Sequence, residues 1–125
     1  MVWKRLIFGE MLWDVYPTNP EGRALCLQTA EDLTRLAAEA LALGLSAISG
    51  ATGAGSLSPL RLALPLVIGG FPPAVILHDL EDSLLLSRKR GAALLRDILA
   101  ARAVLLMQAG AEPETVRTVL AAYFF

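Results

Sequence analysis

The sequence predicts an α+β fold, an antiparallel sheet built from hairpins with about three helices packed on it. Three observations lead there. Gly9-Glu10 separates two short runs rich in bulky apolar and aromatic residues. Gly69-Gly70-Phe71-Pro72-Pro73 separates two more apolar runs in the middle of the chain. After Arg88, apolar residues recur at spacings of three and four. Strands in hairpins, one helix, more strands and two closing helices make an α+β pattern. A chain of 125 residues is one domain, residues 1–125.

The first hairpin rests on Gly at the first central position, as a type II′ turn requires. Its register sets Phe8 against Met11, Leu6 against Trp13, Arg5 against Asp14 and Trp3 against Tyr16. Opposite charges and paired aromatics then face each other across the strands. Pro17 to Gly22 has loop chemistry. Arg23 to Gln28 is short and apolar enough for a third strand. Thr29, followed by Glu31 and Asp32, reads as the N-cap of a helix with acids in its first turn. Leu33, Leu36, Ala37, Ala40 and Leu41 form its apolar stripe, and Gly44 sits where a C-terminal cap belongs. Leu45 to Ser49 reads as a short strand.

Ser58-Pro59 is a helix-start signal, but Pro65 follows too soon for a helix of useful length. The sequence therefore predicts a strand over Leu60 to Ile68, the glycine-proline turn, and a strand over Ala74 to His78. Ser83 to Ser87 fits a strand or the start of a helix equally well. Arg88 to Ala109 is a helix carrying Leu94, Leu95, Ile98, Leu99, Leu105 and Leu106, ended by Gly110. Pro113 opens a last helix through Tyr123, with Val116, Val119 and Leu120 inward.

Composition narrows the function. Charged residues number 11 basic and 12 acidic, 18% of the chain, against roughly 25% in an ordinary soluble domain. Hydrophobic residues reach 55%, more than one small core hides, which predicts a homodimer or higher homo-oligomer. The final helix would dock the rings of Tyr123-Phe124-Phe125 either into its own sheet or across a two-fold axis into a partner subunit, and the excess of apolar residues with scarce charge favours the partner. A formal net charge of −1 offers no broad field for nucleic acid or an anionic membrane. The apolar, uncharged stretch Leu62 to Leu77 has 16 residues and five Gly or Pro breakers. A spanning helix needs about 20 apolar residues, so no membrane span is expected. No apolar run near the N-terminus reaches signal-peptide length, and the expected location is cytoplasmic. A lone Cys26 excludes an internal disulfide and a multi-cysteine metal site.

The candidate ligand-binding residues are Ser49, Gly50, Thr52, Gly53, Gly55 and Ser56, together with His78. Successive N–H groups in a glycine-rich turn can form an anion-binding nest. No Lys-Ser or Lys-Thr follows these glycines, which excludes a Walker loop. Thr52-Gly53-Ala54-Gly55 partly resembles a motif of ribokinase-like sugar kinases, but the family's catalytic Asp would fall at Ser56, which excludes membership. His78-Asp79-Leu80-Glu81-Asp82 is the one place where an imidazole stands beside carboxylates, and without a second His it does not make a metal site. Arg88-Lys89-Arg90, with Arg96 and Arg102, reads as a solvated helix face. Cys26 reads as a small buried hydrophobe. No catalytic residue, metal or cofactor is implied. The expected function is a non-catalytic, homo-oligomeric binding or interaction module. The alternative is an enzyme or sensor holding a phosphate- or carboxylate-bearing small molecule at residues 49–56.

Overall fold

A computed structural model describes residues 20–49 and 57–124, and 85% of them are helical with no strand among them. The antiparallel sheet is therefore corrected to an all-helical bundle. The hairpin expected around Gly9-Glu10 lies outside the described residues.

Helix α1 runs Pro20–Leu43, followed by Gly44 at φ +94° and a short 3-10 turn over Leu45–Ile48. The expected third strand at 23–28 is its first two turns. Cys26, Thr29, Leu33, Ala37 and Ala40 are all buried, so the apolar stripe begins earlier than the one read from Leu33. Thr29 is no cap. Its hydroxyl donates to the Leu25 carbonyl one turn back, at 2.9 Å. The predicted strand over 45–49 is the 3-10 turn.

The predicted strands over 60–68 and 74–78 are helices α2, Ser58–Ile68, and α3, Pro73–Leu86. Proline at N1 or N2 pre-sets the helical φ for each. Pro65 does sit inside α2, where it deprives the Arg61 carbonyl of a partner. Arg61 and Pro65 are both exposed, so that carbonyl's turn of the helix faces water. Residues 83–86, ambiguous in sequence, are the last turn of α3. Helix α4, Gly91–Gln108, begins three residues after the expected start at Arg88, so Arg88-Lys89-Arg90 lie in the connection before it and not on a helix face. Helix α5, Pro113–Ala121, lies where its periodicity places it, and a 3-10 turn extends it over Ala122–Phe124.

The α2–α3 and α4–α5 connections are the same backbone turn. Phe71 N–H donates to the Leu66 carbonyl at 3.1 Å and Gly70 N–H to Val67 at 3.0 Å. Ala111 N–H donates to Leu106 and Gly110 N–H to Met107, both at 3.0 Å. Each is a Schellman ending whose left-handed residue is a glycine, with φ +83° at Gly70 and +73° at Gly110. Pro73 and Pro113 then open the next helix three residues later.

Helix α4 packs against each of the four other α-helices among the described residues. Ile98, Leu99, Ala100 and Ala101 are consecutive and all buried, the mark of a helix covered on every side. It lies parallel to α1. The Cys26 thiol donates to the Ala92 carbonyl at 3.6 Å, and Arg96 Nε donates to Thr29 Oγ1 at 2.9 Å, one turn further along both helices. Helix α5 runs antiparallel to α1, with Arg117 Nε 3.4 Å from Glu31 Oε1 and Arg23 Nη2 3.5 Å from the Phe124 carbonyl. Phe124 is buried in its own subunit, which corrects the expectation that its ring docks across a two-fold axis. Phe125 lies outside the described residues.

Candidate functional site

Of the loop residues picked out by sequence, Ser49 is exposed at the end of the 3-10 turn, its N–H donating to the Ser46 carbonyl at 3.3 Å. Gly50, Thr52, Gly53, Gly55 and Ser56 lie outside the described residues.

His78 is on the outer face of α3 rather than at a strand end. The helix brings its Nε2 within 3.6 Å of Asp82 Oδ2, one turn on, and the two side chains are 73% and 56% exposed. An i, i+4 pair of this kind needs a helix, which is why a strand reading concealed it. Among the described residues no group of three or more His, Cys, Asp or Glu side chains converges. His78 and Asp82 are therefore two polar groups on an open surface, flanked on the same face by exposed Val75, Leu85 and Leu86.

The basic run is not uniformly solvated. Lys89 Nζ reaches back 2.9 Å to Oδ2 of Asp97, a carboxylate only 6% exposed inside α4. Asp97 Oδ1 is buried with no hydrogen-bond partner. Lys89 thus clamps the α3–α4 connection onto the central helix, and its charge is spent inside the subunit. Arg96 is likewise turned inward to Thr29. Nothing in the sequence marked Asp97 as buried, since the helix face it occupies is covered only by tertiary packing.

An apolar groove of about 250 Å³ lies between the C-terminal ends of α1 and α4, lined by Ala37, Ala40, Leu41, Leu45, Met107 and the two capping glycines, Gly44 and Gly110. Among the described residues no side chain lining it is polar or titratable, so these residues offer shape without a group to orient a ligand or move a proton. Among the described residues no helix is long and apolar enough to cross a membrane.

Cys26 is fully buried, and burial pushes its thiol above the ordinary value against the opposing pull of Arg96. Burial also raises the Tyr123 hydroxyl, with Arg102 opposing. A raised folded value means the native state holds the proton more tightly than the unfolded chain. That contribution is intact below the unfolded value and is lost as pH rises through the folded one. Stability should therefore fall as pH climbs above about 8.5, first from Cys26 and then from Tyr123. Urea unfolding across this range checks it: Cys26→Ala should flatten the first part of the decline, and an unchanged slope would defeat the assignment to Cys26.

No family model, curated protein or solved structure matches this chain.

Proposed function

We propose that the chain is a helical interaction module that associates with further copies of itself and carries no catalytic centre of its own. One observation supports this above the others: large apolar side chains stand in water on the helices and the α2–α3 turn, with Leu86 83% and Leu43 70% exposed and Ile68, Phe71, Val75 and Leu85 about half exposed. Single exposed leucines are ordinary, but this many on a small helical bundle leave a surface that another protein surface can cover. The chain's low charge adds little repulsion between copies. Sedimentation equilibrium over a wide concentration range tests the reading. A mass that rises reversibly with concentration is expected. A mass fixed at 13.3 kDa throughout would overturn it.

A further inference from the structure

The outer face of α3 has an order that the other exposed apolar residues lack. Val75, His78, Asp82 and Leu85 follow one another at spacings of three, four and three. Those are two heptads' worth of a and d positions, the seam along which helices pair. All four side chains are exposed, while Ile76, Leu80 and Leu84 on the opposite face are buried in the subunit.

The stripe also reads the same from either end: apolar, polar, polar, apolar, at palindromic spacing. A two-fold axis perpendicular to α3, passing its outer face at the level of Leu80, sets Val75 of one copy opposite Leu85 of the other and His78 opposite Asp82. Two copies of α3 laid antiparallel about that axis would set Val75 of each against Leu85 of the other. Each imidazole would then face the other copy's Asp82 carboxylate, and exposed Ala74 would flank Leu86 at both ends. Isologous interfaces require this kind of self-complementarity. A parallel pairing would instead oppose Asp82 to Asp82, and a slipped antiparallel register would bury a polar group against Val75 or Leu85. Polar residues inside a seam select register by penalising the alternatives.

We infer that two copies of this chain pair through α3, antiparallel about Leu80, with His78–Asp82 contacts at the centre and Val75–Leu85 contacts at the ends. This rests on the self-association reading above and assigns it a surface. Fourteen residues of helix span about 21 Å, and such a pair buries less than the roughly 800 Å² per partner of a standard interface. The association is therefore weak and reversible.

The test uses Val75→Glu, Leu85→Lys and the double substitution in the whole chain. Both sites are exposed, and both charges suit their end of the helix dipole, so the fold should survive; circular dichroism melts check that. Within one chain the two residues lie ten positions apart, about 15 Å along the helix, and cannot pair with each other. Across the proposed axis they are opposite. In sedimentation equilibrium each single substitution should weaken association about tenfold or more, and the double should restore it to within about threefold of the parent. Association that survives either single substitution, or a double that fails to recover, overturns the α3 pairing and leaves self-association to another face. A parent that stays monomeric up to about 1 mM, a range that detects binding as weak as roughly −4 kcal/mol, overturns both.

Discussion

Leu99→Ala will destabilise the fold by about 2–5 kcal/mol, a large fraction of the roughly 5–15 kcal/mol that holds a domain of this kind together. Leu99 is 0% exposed and sits in the run of α4 that is covered on every side. Truncation there removes the transfer free energy of the side chain and leaves a cavity between helices that cannot all close in at once. Leu43→Ala is the matched control: the same chemistry at a side chain 70% exposed should change stability by no more than about 0.5 kcal/mol. Urea denaturation reads both as a shift in midpoint at constant slope. Comparable losses at the two sites would mean that α4 is not the centre of the bundle. A change of slope at Leu99 would point instead to an altered denatured state.

The two Schellman turns explain why half the fold was legible in the sequence and half was not. Gly110-Ala111-Glu112-Pro113 is read correctly as a helix stop followed by a helix start, because unbroken periodicity leads into it. Gly69-Gly70-Phe71-Pro72-Pro73 makes the same hydrogen bonds but is read as a hairpin, because Pro65 argues against a helix just before it. The penalty for an internal proline is real, but it applies to one carbonyl, and α2 places that carbonyl's turn toward solvent. Local rules price the broken bond without knowing which side of the helix it falls on. Thr29 misleads in the opposite way. A Thr followed by two acids resembles a cap, yet Cys26 already continues the stripe of Leu33 and Ala37 into the preceding turn. The segment before it, Arg23 to Gln28, has no β-branched residue and favours helix over strand.

The candidate site shares this history. The His78–Asp82 pair and the palindrome around Leu80 exist only on a helix, since alternation along a strand would place Val75 and His78 on opposite faces. Cys26 was recognisable as a buried hydrophobe from its neighbours alone. The burial of Asp97 was not, because four helices cover α4 and no local pattern announces which polar residue falls beneath them.

Lys89→Ala will destabilise the protein by about 1–3 kcal/mol, more than a surface ion pair would, because it strands the Asp97 carboxylate in the interior. The cost falls at the lower end for buried pairs, since Lys89 itself is 44% exposed and water already screens part of the attraction. Asp97 Oδ1 has no partner even in the intact chain, so losing the contact to Oδ2 would leave the whole group unsatisfied. The same reasoning makes a sharper expectation for the double substitution. Lys89→Ala with Asp97→Leu removes the charge along with its clamp, fills the space with an apolar side chain, and should recover most of the loss. Desolvating a carboxylate is costly, and a buried ion pair does little better than well-packed hydrocarbon of similar size. Urea unfolding of the parent, the two single variants and the double closes a cycle that isolates the coupling between the residues. A loss below about 0.5 kcal/mol for Lys89→Ala would place the pair among ordinary surface bridges. A double variant no more stable than Lys89→Ala alone would show that leucine cannot be packed beneath the α3–α4 connection, and that the carboxylate is there because nothing larger fits.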